Sequence, residues 1–236
     1  KNRPDARGEG TLRRVLDTAQ LLRRHDVTFN VLTVVTNDTA DKLDLVYDFF
    51  ARHDLRWQQY IPCLDAFGEN QGWLTVDKYA QFLCRLFDRW AEDVMQGRFI
   101  YIRQFENYLG MLLGRPAESC GMMGCCGMQY TVVADGSVYP CDFYVLDAYR
   151  LGSFVTDDFD ALDKKRHALR FVEDSAEKDA ECLKCRYYPL CRGGCRRDRD
   201  DGAGHLSRTR FCSAYMQFFD YALPRLQHIA ARCANR

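Results

Sequence analysis

Within the first 62 residues, a segment with apolar residues at helical spacing is followed by a strand-like apolar segment, and this order occurs twice. Residues 12–22 repeat apolar side chains at helical spacing, and residues 27–35 are β-branched and nearly continuously apolar. The same alternation returns in residues 43–50, behind a polar Asn-Asp-Thr-Ala stretch that offers helix caps, and in residues 56–62. This order predicts βα repeats with buried parallel strands, and therefore an α/β fold.

The pattern then changes to longer helices and a hairpin. Residues 75–95 and 102–113 have helical apolar spacing. In residues 130–139 two β-rich arms flank Asp135-Gly136. A pair of this type tolerates the positive φ angles of a type I′ turn, so the segment is predicted to be a β-hairpin. Two further helices are predicted, near residues 160–171 and over residues 213–232.

Composition and charge exclude several classes of function. The chain of 236 residues has 33 basic and 33 acidic side chains, so its zero net charge gives no electrostatic footprint for nucleic acid. No apolar run approaches the roughly 20 residues that span a bilayer, so no membrane role is expected. The first residues resemble neither a signal nor a transit peptide, and twelve cysteines without secretory features indicate a reducing cytoplasm.

Cysteines dominate the second half of the chain. Nine of the twelve lie in one region, in the order Cys120, Cys125, Cys126, Cys141, Cys182, Cys185, Cys191, Cys195 and Cys212. Disulfides belong mainly to small secreted domains, and ordinary buried cysteines do not cluster in this way. Thiolates at Cys-x-x-Cys spacing bind zinc or iron-sulfur clusters, and the spacing alone does not choose between the two.

A basic run accompanies the last of these cysteines. Arg192, Arg196, Arg197 and Arg199 alternate with aspartates at positions 198, 200 and 201. Such mixed charge favours a solvated loop over an anion site. Between the first two arginines, Gly193-Gly194 would permit a close approach of the backbone to a cluster.

Four segments around the cysteines carry a more specific signal. They are Cys-Gly-Met-Met-Gly-Cys-Cys at 120–126, Asp-Gly-Ser-Val-Tyr-Pro-Cys-Asp-Phe-Tyr-Val at 135–145, Cys-x-x-Cys-x5-Cys-x-Gly-Gly-Cys-Arg-Arg at 182–197, and Phe-Cys-x-x-Tyr at 211–215. Together they resemble the SPASM domain of radical S-adenosylmethionine enzymes, most closely the anaerobic sulfatase-maturating enzymes. The resemblance covers essentially the whole chain. It implies the C-terminal half of a radical SAM partial (β/α)6 barrel with linker helices in residues 1–115, and a SPASM iron-sulfur domain with a β-hairpin and helices in residues 116–236.

The resemblance also implies how the cysteines are divided. One auxiliary [4Fe-4S] cluster would be bound by Cys120, Cys126, Cys141 and Cys195, and a second by Cys182, Cys185, Cys191 and Cys212. The two sets interleave in sequence. Cys125 is adjacent to Cys126 but is assigned to neither set. Cys63, Cys84 and Cys233 also belong to neither set; Cys63 and Cys84 are predicted to be core thiols, and Cys233 an unpaired thiol.

Three further residues match functional positions of the family. Asp142 matches the catalytic carboxylate, which is proposed to accept a proton from the substrate side chain. Arg3 matches an arginine that contacts the carboxylate of S-adenosylmethionine, and Ile61 matches an apolar residue against its adenine. The Cys-x3-Cys-x2-Cys motif of the catalytic cluster has no counterpart here, since no cysteine precedes Cys63. S-adenosylmethionine and a third cluster are therefore expected only with the N-terminal half, and the chain alone is expected to be inactive.

By resemblance, the whole enzyme would oxidise an active-site Cys or Ser of a sulfatase, in a Cys/Ser-x-Pro/Ala-x-Arg context, to Cα-formylglycine. Its partners would be the sulfatase polypeptide and a reductant of the flavodoxin or ferredoxin type. Three alternatives stay open from the sequence: another SPASM peptide-modifying enzyme, a non-catalytic four-cysteine zinc module, and an electron-transfer module.

Overall fold

A computed structural model of the chain describes residues 4–67, 69 and 71–234. Its first half contains three strands and five helices among these residues. In chain order they are α1 (Leu12–Arg24), β1 (Val31–Val35), α2 (Asn37–Asp41), α3 (Leu43–Arg52), β2 (Trp57–Pro62), α4 (Val76–Met95), β3 (Tyr101–Ile102) and α5 (Arg103–Leu112).

The three strands form a parallel sheet in the order β1-β2-β3. Val31 pairs with Gln58 and Val35 with Pro62, so the predicted parallel pairing of the first two strands is confirmed. The third strand was not predicted: Ile102 was assigned to the helix that follows, and Tyr101 to no element. Tyr101 instead pairs with Trp57, and the helix begins only at Arg103. The mixed α/β class is thereby confirmed.

The two faces of this sheet differ in burial. Val35, Gln58 and Tyr60 are buried. On the other face, Leu32 and Val34 of β1 are 57% and 54% exposed. The expectation that residues 27–35 form a strand buried on both faces was therefore wrong. Among the described residues, β1 is the edge of the sheet and helices cover only one of its faces.

Threonines, rather than the predicted asparagine stretch, cap the helices at the ends of this sheet. Thr36 Oγ1 accepts a hydrogen bond from the Thr39 amide at the start of α2, and Thr75 does the same for Lys78 in α4. Asn37 instead joins the loop before α4: its Nδ2 donates to the Gly72 carbonyl, and its Oδ1 accepts from the Thr75 amide. This amide side chain links α2 to the start of α4.

The second half of the chain is built from short elements and one long helix. In chain order they are α6 (Cys120–Met123), β4 (Thr131–Val132), β5 (Ser137–Tyr139), β6 (Gly152–Ser153), α7 (Phe159–Ala168), α8 (Phe171–Ala176), α9 (Ala180–Lys184), α10 (Tyr188–Cys191) and α11 (Cys212–Ala234). Three 3-10 turns, at Asp142–Tyr144, Asp147–Tyr149 and Arg196–Asp198, lie between them.

The predicted hairpin is present, but its turn differs from the prediction. Strands β4 and β5 pair antiparallel, with Val132 opposite Val138. Only Gly136 has a positive φ, of 83°, and its amide donates to the Val133 carbonyl. A type I′ turn requires positive φ at two successive residues, so that assignment was wrong. Strand β6, where no element was predicted, adds a third antiparallel strand beside β5.

The main hydrophobic core joins the two halves of the chain. Helix α11 packs on α4 and α5, and Phe218 lies 5.9 Å from Phe87 and 5.8 Å from Phe105 between ring centroids. Residues from both sides of the expected boundary at residue 115 thus share one core, and the division into two domains stays a prediction. Although α11 contains 23 residues, no helix in the described parts of the chain is long and apolar enough to cross a bilayer.

One carboxyl near this core predicts how stability depends on pH. Burial raises the pKa of Glu106 to about 7, and Glu118 adds to the rise. The folded chain therefore holds this proton more tightly than the unfolded chain, in which a glutamate titrates near about 4.3. For an acid whose folded pKa is raised, the free energy of unfolding falls as pH rises from the unfolded pKa to the folded pKa.

The variant Glu106→Gln is accordingly expected to raise the Tm of the protein more at about pH 8 than at about pH 5. Thermal unfolding followed by circular dichroism at the two pH values measures this. The matched control is Glu92→Gln, at an exposed position on α4. An equal change in Tm at both pH values for Glu106→Gln would show that this carboxyl does not carry the pH dependence.

Candidate metal centre

Four cysteines from three parts of the chain lie near one another beside the antiparallel sheet. Cys120 begins α6, Cys126 lies just past its C-terminal end, and Cys141 follows β5 at the start of a 3-10 turn. Cys195 packs beside α6, because a Cβ built on Gly121 would lie 3.5 Å from the Cβ of Cys195. A negative charge on one thiol would raise the pKa of its neighbours, and this interaction pairs Cys126 with Cys120 and Cys141, and Cys195 with Cys120 and Cys126. These are the four cysteines of the first predicted set.

Burial holds three thiols of this first set in their neutral form, those of Cys126, Cys141 and Cys195. Burial raises the pKa of Cys141 to about 12, and its hydrogen bond to the Asp142 carboxylate adds to the rise. Burial also raises the pKa of Cys126 and of Cys195. Because metals bind the thiolate, ligation at these positions has to release protons.

The second set surrounds a cavity. All four of its cysteines line a space of about 490 Å³. Cys182 lies in α9 and Cys185 directly follows it, while Cys191 ends α10 and Cys212 begins α11. Burial raises the pKa of Cys191 to about 11, and repulsion from the other three thiolates contributes. The structure therefore brings the interleaved cysteines into the two groups expected from the resemblance. Their role as ligands stays a prediction.

The space among the cysteines of one group bears on the choice between a zinc ion and an iron-sulfur cluster. In the described part of the chain, no group of three or more His, Cys, Asp or Glu side chains is arranged to hold a metal ion. Four thiolates around one zinc ion each lie about 2.3 Å from it, so their sulfurs nearly touch. A [4Fe-4S] cluster binds each thiolate at a different iron, so its ligands line a wider space. The cavity lined by the second set has room for a cluster beside its four thiols.

A glycine pair connects the two groups. Gly193 and Gly194 lie between Cys191 of the second set and Cys195 of the first, with φ angles of 88° and 75°. A Cβ at Gly193 would lie 2.9 Å from Cδ of Lys178, and a Cβ at Gly194 would lie 3.4 Å from Cβ of Thr209. Both the backbone conformation and the close packing favour glycine here.

Asp142 lies at the surface beside the first group. The thiol of Cys141 donates a hydrogen bond to Asp142 Oδ1 over 3.4 Å. Two residues later, Tyr144 is buried, and its hydroxyl donates to Asp200 Oδ2 over 2.8 Å. The ring of Tyr144 also packs against Phe171 and Phe67. The turn that carries Asp142 is therefore anchored on one side and open to solvent on the other.

Of the two residues matched to cofactor contacts, only Ile61 lies in the part of the chain that the structure describes. Arg3 lies outside the described residues. Ile61 is half-buried in β2 and pairs with Val34 in β1, so it lies on the face of the sheet that is open in this chain. Cys63 and Cys84 are half-buried against the main core, as predicted, and Cys233 is an exposed free thiol.

The basic run is not a solvated loop, and that expectation was wrong. Arg196, Asp198 and Arg199 are 6%, 8% and 3% exposed. Arg196 donates to the Phe171 carbonyl and its guanidinium lies 4.5 Å above the Phe171 ring. Burial raises the pKa of Asp198 to about 6, while Arg210 opposes the rise from 3.7 Å away. The arginines are buried because backbone carbonyls accept their hydrogen bonds, which charge counting along the sequence does not show.

Comparison with known proteins places this arrangement in context. The SPASM iron-sulfur cluster-binding domain matches residues 124–186. The cysteine-type anaerobic sulfatase-maturating enzyme of Clostridium novyi is 37% identical, covering 100% of this chain and 64% of the relative. The serine-type enzyme of Klebsiella aerogenes is 27% identical, covering 96% of this chain and 55% of the relative. The structure of native anSMEcpe with bound AdoMet and Kp18Cys peptide superposes with a TM-score of 0.89 at 41% identity, covering 98% of this chain and 65% of that one. The chain thus spans less than two thirds of the length of these proteins.

Proposed function

Because the chain belongs to the anaerobic sulfatase-maturating enzyme family, and spans only 64% of a curated member, we propose that it is the C-terminal part of such an enzyme. The whole enzyme would oxidise an active-site cysteine or serine of a sulfatase to Cα-formylglycine. The observation that carries this proposal is the grouping of eight interleaved cysteines into two sets, with Asp142 beside one of them.

The proposal includes a division of labour along the chain. Residues 1–115 would be the C-terminal half of a partial (β/α)6 barrel, and their three parallel strands with one open sheet face support this. Residues 116–236 would be a SPASM domain with two auxiliary [4Fe-4S] clusters. Arg3 and Ile61 would contact S-adenosylmethionine, which together with a third cluster requires the N-terminal half.

The reaction requires the side chain of the substrate to lose two electrons. A cysteine substrate loses a hydrogen atom from Cβ, a proton from sulfur and one further electron, which leaves a carbon-sulfur double bond. Addition of water and loss of hydrogen sulfide then give the aldehyde. When bound, S-adenosylmethionine and the clusters supply the acceptor of the hydrogen atom and the acceptor of the electron.

Asp142 is the residue of this chain proposed to accept the proton. Its carboxylate is exposed, and its turn is anchored through Tyr144. It already accepts a hydrogen bond from a thiol, that of Cys141. Ligation of Cys141 as a thiolate would remove that donor and leave the carboxylate available to a thiol of the substrate.

The relatives favour cysteine as the substrate residue. A cysteine-type enzyme of Clostridium perfringens is 41% identical to this chain, whereas three serine-type enzymes are 24–27% identical. The partner would therefore be a sulfatase polypeptide presenting cysteine, with electrons from a flavodoxin- or ferredoxin-type protein. Solved anSMEcpe structures carry the Kp18Cys and Cp18Cys peptides, which supports a peptide substrate.

The test uses the full-length enzyme that contains this chain, purified without oxygen. Matched peptides with a central Cys-x-Pro-x-Arg or Ser-x-Pro-x-Arg sequence are incubated with S-adenosylmethionine and a reductant, and the products are identified by mass spectrometry. We expect formylglycine from both, with the larger kcat/KM for the cysteine peptide. Modification of neither peptide, alongside normal cleavage of S-adenosylmethionine, would contradict the proposed substrate class.

A further inference from the structure

Ser175, at the end of α8, connects the first cysteine group to two cations. This serine is 1% exposed, and its Oγ accepts a hydrogen bond from the Cys126 amide over 2.7 Å. Its carbonyl accepts from Lys178 Nζ over 2.8 Å and from Arg199 Nη1 over 2.8 Å. Both positive charges thus converge on one residue that contacts a cysteine of the first group.

Lys178 also reaches the second group. Its ammonium donates to the carbonyls of Ser175, Ala176 and Glu177 over 2.8, 2.9 and 3.2 Å. Its aliphatic stem crosses Gly193, where an added Cβ would lie 2.9 Å from Cδ. Gly193 lines the cavity of the second group and lies two residues before Cys195 of the first. The lysine therefore lies between the two groups.

Arg199 donates to the same Ser175 carbonyl as Lys178 and is buried. It is 3% exposed, and it donates to the carbonyls of Ser175 and Glu177 and to that of Ser207 over 3.4 Å. Its charge acts on Cys126 and Cys195 of the first group and on Cys182 of the second. The charge of Lys178 acts on Cys126 and Cys182 as well. Both cations thus interact with both groups.

These two cations lack the usual counter-ions. The hydrogen bonds of both side chains end on neutral backbone carbonyls, and among the described residues neither forms an ion pair with a carboxylate. Neighbouring like charges removed from water are unfavourable unless a negative group compensates them. The cysteines on either side are the groups able to supply that negative charge.

We infer that Lys178 and Arg199 form a cationic bridge that raises the reduction potentials of the iron-sulfur clusters held by both cysteine groups. This inference rests on the proposed function, since it requires clusters at these cysteines. Reduction adds one negative charge to a cluster, and a nearby cation in a medium of low dielectric stabilises the reduced state more than the oxidised state. Because the bridge lies between the groups, it acts on both clusters.

The test is a redox titration of the anaerobically reconstituted 236-residue chain, followed by electron paramagnetic resonance. Lys178→Met and Arg199→Gln are each expected to shift both potentials to more negative values. Lys178→Arg keeps the charge and is expected to keep the wild-type potentials. Lys165→Met, at an exposed lysine on α7, is the matched control and is also expected to leave them unchanged.

The outcomes separate this inference from the proposed function. A wild-type chain that binds no iron overturns both. Bound clusters whose potentials do not move in Lys178→Met and Arg199→Gln overturn the bridge alone. If Lys178→Met loses iron, Lys178→Arg decides the matter: retention of iron by the arginine variant supports a role for the charge, whereas equal loss from both variants overturns it.

Discussion

Asp142→Asn in the full-length enzyme is expected to lower kcat for formylglycine formation by roughly 10²–10⁴-fold, the usual contribution of a positioned general base. Asparagine has nearly the same shape as aspartate, but its amide does not accept the proton that the substrate thiol must lose. Formation of 5′-deoxyadenosine and the iron content are expected to persist, because neither requires this carboxylate. Product formation is measured by mass spectrometry of a cysteine peptide.

The matched control for this variant is Asp147→Asn. Asp147 is also exposed and also begins a 3-10 turn, only five residues further along the chain. Its replacement is expected to leave kcat within about twofold of wild type, because surface substitutions away from the reacting groups have small effects. Wild-type kcat in Asp142→Asn would remove the base assignment, and an equal loss in both variants would indicate a structural effect instead.

Cys126→Ser is expected to remove about four of the eight irons that two clusters contain. A serine hydroxyl is a poor substitute for thiolate, which is the ligand that iron-sulfur clusters bind. Because Cys126 interacts with both Cys120 and Cys141, its loss affects the first group while the second is retained. The measurement is iron and sulfide per chain after anaerobic reconstitution, together with the visible absorbance.

The adjacent cysteine provides the control. Cys125→Ser makes the same chemical change one position away, at a residue outside both groups. It is expected to retain about eight irons per chain. Iron loss from Cys125→Ser with full retention by Cys126→Ser would reverse the choice between these two neighbours.

Elements with strong apolar periodicity were predictable from the sequence. The ends of the long helices α4 and α11 differ from their predicted positions by at most two residues. Their buried stripes, which include Phe87 and Phe218, follow the period that predicted them. The grouping of the cysteines was predictable only through the family resemblance, because the spacing of two interleaved sets does not by itself assign a cysteine to one of them.

Short elements depended on tertiary contacts and were missed. Strands β3 and β6 contain two residues each, and each exists because it pairs with a neighbouring strand. Two residues give no detectable alternation, so no local pattern marks them. The burial of Arg199 also depends on partners distant in sequence, since the carbonyls of Ser175 and Glu177 that accept its hydrogen bonds lie more than 20 residues away.

The central claim is that the eight grouped cysteines bind two [4Fe-4S] clusters, and the metal content of the chain tests it most directly. After anaerobic reconstitution, we predict about eight iron and eight sulfide per chain, with a brown colour. About two zinc ions and little iron, obtained also without reconstitution, would contradict the claim and indicate a zinc module instead.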